Sequence, residues 1–167
     1  MKTRIMLGLF VAFLALSTAY AVPQSKPASG LDLLKTLVGE WDGKAENGKA
    51  VHASYKVVSA GSALLETLRG TEGEEMVTLY HADGNRLMLT HYCAANNQPR
   101  MRTEPVTGPT NQLTFSFVDV ANVSSLEAGH MHRLVVILED KDHFTQKWTW
   151  REKGREQTEV FHFTRAK

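Results

Sequence analysis

The stretch FTQKWTWREKGREQTEVFHF, Phe144 to Phe163, decides how this chain is read. Lys153-Gly154 in its middle is a two-residue turn signal between two runs of alternating character. Folding the stretch there sets Trp150 opposite Gln157, Trp148 opposite Glu159, Gln146 opposite Phe161 and Phe144 opposite Phe163. Side chains alternate across a strand, so two Trp and three Phe gather on one face with Gln146. Lys147, Thr149, Arg151, Glu156, Thr158 and His162 fall on the other. The two strands agree on which side faces in. Gln146 then points into the interior, Glu159 sits nearer a rim, and Trp148 and Trp150 read as core before they read as a binding stripe.

The same pattern extends back to Gly39. Candidate strands cover 41–46, 51–59, 63–69, 75–82, 86–94, 100–106, 112–120, 130–139, 143–151 and 156–165, with Gly, Asn, Asp and Pro turn signals between them. With Asp83-Gly84 as a turn, Tyr80 faces Leu87, Thr78 faces Leu89 and Met76 faces His91. The favoured inward face carries Thr78, Tyr80, Leu87, Leu89 and His91. The opposite face, with Val77, Leu79, His81, Met88, Thr90 and Tyr92, is also part apolar, so the choice rests on its extra charge. A long run of antiparallel strands must dispose of its edges, and closure into a barrel does so. A sandwich is the alternative, but the nearly uniform hairpin links favour up-and-down order. The predicted fold is all-β, an antiparallel up-and-down barrel of about ten strands. One short N-terminal helix precedes it: Leu31, Leu34, Leu37 and Val38 recur at helical spacing, with Ser29 as N-cap and Gly39 as stop.

Upstream of the helix the chain reads as an address. Lys2 and Arg4 precede an uncharged apolar run from Ile5 to Leu16, and Ala19-Tyr20-Ala21 supplies small residues where a signal peptidase reads. The apolar run is shorter than the ~20 residues a spanning helix needs. Residues 1–21 are therefore expected to be a cleaved signal peptide, 22–29 a disordered Pro/Ser/Lys tether, and 30–167 the barrel domain, periplasmic or extracellular and without a membrane anchor. Basic and acidic residues nearly balance, 19 against 18, which argues against nucleic acid or an anionic membrane surface as partner. Cys93 is the only cysteine, so no disulfide forms within the chain. A free thiol of this kind packs as a small hydrophobe.

At Gly39-Glu40-Trp41 a short helix runs into Gly-x-Trp at the start of the first strand. This arrangement resembles the lipocalin and calycin barrels. The resemblance implies that Trp41 closes one barrel end under Arg165 of the last strand, which shares the inward parity of Phe161 and Phe163. The strand count is closer to the fatty-acid-binding and nitrobindin-like branch than to eight-stranded lipocalins. The chain is also similar to exported bacterial domains of this type that have no assigned activity. No motif fixes haem or a fatty acid, and no cofactor is expected.

The residues available for chemistry are few. His91 and Cys93 stand about 7 Å apart by strand rise, too far for a base–nucleophile pair. His130-x-His132 offers two imidazoles without a third ligand at fixed spacing, so it reads as a solvated strand start, with no metal site expected. Glu66 faces inward if Leu64 and Leu68 do, and is solvated if Leu65 and Thr67 do. The inward set gives a candidate ligand-binding lining of Glu66, Thr78, Tyr80, His91, Gln146 and Trp148. No phosphate-binding loop, dinucleotide fingerprint, nucleophile elbow or metalloprotease motif is present.

Three functions remain. The favoured one is a non-enzymatic barrel holding a small apolar or amphipathic molecule. The second is an enzyme of the same fold using Glu66, Tyr80 or His91 as acid or base. The third is an envelope interaction protein with a filled core. The cleavage reading predicts that the exported form begins at Val22. N-terminal sequencing of that form checks this, and an intact Met1 on a membrane-embedded product refutes it.

Overall fold

The computed structural model describes residues 30–70 and 73–167. The expected signal and tether, with the proposed N-cap Ser29, lie outside the described residues. Helix α1 (Gly30–Lys35) is followed by β1 (Gly39–Ala45), β2 (Ala50–Val58), β3 (Ala63–Gly70), β4 (Glu75–Asp83) and β5 (Arg86–Tyr92). The second half holds β6 (Gln98–Thr103), β7 (Gln112–Ala121), β8 (His130–Leu138), β9 (His143–Glu152) and β10 (Arg155–Arg165). Each strand pairs antiparallel with its sequence neighbours, and β1 pairs with β10 to close the barrel.

The last hairpin has the register read from its alternation: Trp150 faces Gln157, Trp148 faces Glu159, Gln146 faces Phe161 and Phe144 faces Phe163. Lys153 and Gly154 both take positive φ, the two-residue turn that matches the twist of a hairpin. The β4–β5 hairpin departs from expectation. Asp83 pairs with Arg86, so the turn is Gly84-Asn85 rather than Asp83-Gly84. The slip is two residues, an even number, so every side chain keeps its face while its partner changes. Tyr80 now faces Leu89 and Thr78 faces His91. Strand β6 also starts earlier than read, taking in Gln98 and Pro99, and ends at Thr103.

One end of the barrel is shut. Leu31, Leu34 and Leu37 are buried beneath it, and the Trp41 indole N–H donates to the Leu37 carbonyl at 2.7 Å. Phe144 meets Trp41 edge-on at 4.7 Å and stacks on Phe163 at 4.5 Å. The Arg165 guanidinium lies 4.1 Å over the Trp41 ring and donates to the carbonyls of Thr36, Val38 and Lys141. A cation here faces carbonyls that the end of a helix leaves without intrahelical donors.

Gly43 permits this packing. A Cβ at that position would lie 2.5 Å from the Phe163 ring and 2.8 Å from Val51. Gly43→Ala is expected to cost about 1–3 kcal/mol in denaturant unfolding, the usual range for overpacking. Gly108→Ala, where an added Cβ meets open space, is expected to stay within about 0.5 kcal/mol.

Candidate functional site

Parity brings most of the polar candidates to one layer inside the barrel. On β3, Leu64, Glu66 and Leu68 all face in and are buried, which settles the alternative left open for Glu66. Glu66 pairs across to Tyr55 on β2 and to Thr78 on β4, and Thr78 pairs to His91 on β5. Gln146 and Trp148 reach the same layer from β9 across the barrel. All six candidate lining residues are at most 2% exposed.

Glu66 is the centre of a hydrogen-bond network. Tyr80 donates its hydroxyl to Oε2 at 2.5 Å, Tyr55 donates to Oε1 at 3.0 Å, and Gln146 Nε2 donates to Oε1 at 2.7 Å. Gln146 Nε2 also lies 2.8 Å from the Tyr55 hydroxyl, and Trp148 Nε1 donates to Gln146 Oε1 at 3.0 Å. Burial pushes the Glu66 carboxyl above its ordinary range, opposed by hydrogen bonds from Tyr80, Gln146, Tyr55 and Thr78. Burial, then the Glu66 charge, raises both tyrosines well above the usual phenol range, so both stay protonated and serve as donors.

Tyr55 is a member of this layer that the sequence reading missed. The alternation Val51, Ala53, Tyr55 along β2 carried the signal. Registering it against Trp41, which faces Ala53, would have placed Tyr55 beside Glu66.

His91 belongs to the layer but differs from it. Its Nδ1 bonds the Thr78 hydroxyl at 2.9 Å, and its ring lies 4.6 Å from that of Trp148. Its Nε2 is buried with no hydrogen-bond partner in the protein. Burial lowers its pKa to about 4, so the ring is neutral. Asn97 Oδ1, in the turn before β6, is also buried without a partner, while its amide donates to the Gly129 carbonyl.

His130 corrects the expectation of a solvated strand start, since it is buried. Its Nδ1 bonds the Ala128 carbonyl at 2.8 Å and its Nε2 bonds His132 Nδ1 at 3.3 Å, while Arg151 bonds His132 Nε2 at 3.3 Å. The donors line up in one direction, from Arg151 through His132 and His130 to the carbonyl. That occupies all four ring nitrogens, and Phe117 stacks on His132 at 4.7 Å. Among the described residues no group of three or more His, Cys, Asp or Glu is placed to hold a metal.

One recess of about 180 Å³ lies beside the helix, against Leu31, Leu87 and Val106, and another lies at the end opposite Trp41. The latter, of about 170 Å³, is walled by Ala45, Val51, Leu68, Met76 and Phe161, with Lys49, Glu74 and Glu159 around its rim. Leu68 pairs with Met76, one inward position beyond the Glu66–Thr78 pair. The recess therefore sits one pleat repeat, about 7 Å, above the polar layer. Met76 is also a diagonal neighbour of His91, within reach of a long side chain. A larger groove of about 470 Å³ follows the β6–β7 connection, and neither it nor the recess is lined by any of the six candidate residues.

No protein family and no curated protein matches the sequence. Solved structures do. Rv2717c from M. tuberculosis superposes with a TM-score of 0.62 at 11% identity, over 85% of this chain and 100% of that one. A protein of unknown function from the DUF3598 family of Nostoc punctiforme gives 0.54 at 13% identity, over 84% of this chain and 51% of that one. This chain thus spans about half the length of the latter. At such identities the likeness is one of fold alone.

The neutral state of His91 makes a stability prediction. Its folded pKa lies near 4 against 6.5 for an unperturbed ring, so between these values the unfolded state binds more protons. Stability present above pH 6.5 is lost as the pH falls toward 4, by up to about 3 kcal/mol. The stability of wild type relative to His91→Phe should fall by that amount between pH 7 and pH 4 in urea titrations. Glu66 is present in both proteins, so its contribution largely cancels.

Proposed function

We propose that the protein is an exported calycin-type barrel that binds a small, largely apolar molecule at its open end. The ligand would lie in the recess above the polar layer, against Leu68, Met76 and Phe161. The observation that carries this reading is the unpartnered Nε2 of His91 in an interior whose neighbouring polar groups have partners. A buried polar atom without a partner costs about 1–3 kcal/mol, which a ligand group would offset. Apolar walls with one or two polar groups beneath them are the usual make-up of a small-molecule site.

Other features support parts of the reading. The Gly39-x-Trp41 start, the Arg165 guanidinium over Trp41 and the ten-strand closure favour the calycin type. The charged n-region, apolar run and Ala19-Tyr20-Ala21 support export. The acid–base reading draws less support, because Glu66 already accepts hydrogen bonds from Tyr55, Tyr80 and Gln146 on its two oxygens. A general base needs a free lone pair within reach of the substrate proton.

Native mass spectrometry of protein purified from its own host tests the proposal. Wild type is expected to carry a bound small molecule. Met76→Trp, which fills the recess, should lose it, and Lys56→Trp on the exposed outer face should keep it. The reading fails if wild type carries no adduct and shows no saturable uptake of Nile red. It also fails if Met76→Trp retains full occupancy.

A further inference from the structure

The direction of the interior hydrogen bonds says which chemical group the site takes. Trp148 donates to Gln146, and Gln146, Tyr55 and Tyr80 donate to Glu66. Each dipole on this side turns its positive end toward the buried carboxylate. Thr78 is the register partner of Glu66 across β3 and β4. Its hydroxyl proton therefore points to Glu66, because the reverse orientation would set its lone pairs against a buried negative charge. With that proton committed, the Thr78 oxygen is left to accept from His91, so Nδ1 carries the ring hydrogen. A neutral imidazole has one hydrogen, so Nε2 is a bare lone pair. The same assignment follows from burial costs, since an orphaned buried N–H is rarer than an under-used acceptor.

Building on the binding role proposed above, we infer that the site selects an apolar molecule that donates a hydrogen bond, through a hydroxyl or N–H, to Nε2 of His91. Carboxylates are excluded at this position. An acceptor-only anion would meet the lone pair, with the Glu66 charge one residue pair away across Thr78. The imidazole packs against the Trp148 ring at a 40° tilt, and that contact limits its rotation. The ligand is thus a neutral alcohol, phenol, amide or amine-bearing hydrophobe rather than a fatty acid.

The test has two arms on the mature exported chain. The first needs no ligand: long-range proton–nitrogen NMR of ¹⁵N-histidine protein reads the tautomer directly. The expected result is a protonated Nδ1 and an unprotonated Nε2 for His91, and a protonated Nε2 overturns the inference. The second arm compares 2-naphthol, 2-methoxynaphthalene and 2-naphthoate by calorimetry. The naphthol should bind about tenfold more tightly than its methyl ether, with the carboxylate weakest. His91→Phe, which keeps a ring against Trp148, should erase the preference for the naphthol and leave the ether unchanged. Equal binding of naphthol and ether overturns the donor rule while the binding role stands. Failure of both to bind wild type overturns the binding role itself. A correct tautomer with no naphthol preference means that Nε2 is met by water alone, and also overturns the rule.

Discussion

The interior is arranged around one buried charge. Glu66 is fully enclosed, and the groups that meet it are phenols and an amide, with no cation hydrogen-bonded to it. Burying a carboxylate in this way is costly, and only several well-aligned donors make it tolerable. That requirement fixes neighbours on three different strands. Tyr55 on β2, Tyr80 on β4 and Gln146 on β9 must all reach one point, and Trp148 must orient Gln146 so that its NH₂ rather than its carbonyl faces the acid. The register of β2, β3 and β4 and the closure of the sheet that brings β9 opposite are all read out in those bonds. An apolar residue in place of Glu66 would relieve the charge but leave two phenols and an amide searching for acceptors.

The two ends of the barrel divide the remaining work. The Trp41 end is dry and stacked: aromatic rings from β1, β9 and β10 meet edge-on and face-on, and Arg165 ties the helix, its following turn and the β8–β9 connection together through their carbonyls. At the opposite end the recess is walled by Ala45, Val51, Leu68 and Met76, with Phe161 beside them. Met76 matters most among them, because an unbranched thioether adapts to a guest at low cost. The polarity of the interior therefore runs from a sealed aromatic floor through a charged middle layer to an adaptable apolar mouth.

How much of this the sequence discloses depends on parity and register, which are separate kinds of information. Parity survives even-numbered errors. The β4–β5 turn is displaced to Gly84-Asn85, yet Thr78, Tyr80 and His91 still face in as the alternation says. What the displacement hides is the pairing of Thr78 with His91, and with it the hydrogen bond that sets the imidazole tautomer. Glu66 resists parity altogether, since Leu64 and Leu65 are both apolar and the outer surface of β3 is itself half-buried. Tyr55 is legible as an inward residue on β2, but its partnership with Glu66 needs the register from Trp41 through Ala53. His130 is misread for another reason. A polar residue at a strand start is normally solvated, and only the three-dimensional approach of Phe117, His132 and the Ala128 carbonyl buries it.

A network that served packing alone would be expected to end in a satisfied group, because each terminal donor or acceptor left over is a standing cost. The branch through Gln146 does end so, on the Trp148 indole N–H, which has no further demand. The branch through Thr78 ends instead on an imidazole whose second nitrogen has no hydrogen-bond partner in the protein. A leucine or phenylalanine at position 91 would pack against Trp148 and Leu89 without that debt, with Thr78 still free to donate to Glu66. The histidine adds nothing to the stabilisation of the carboxylate that Thr78 does not already supply. Its distinguishing property is to carry the orientation imposed by Glu66 one strand further and to present it as a single acceptor under the apolar mouth. That asymmetry, a closed branch on one side and an open one on the other, is the physical ground for reading this barrel as a receptor for a small molecule and not as a solid core.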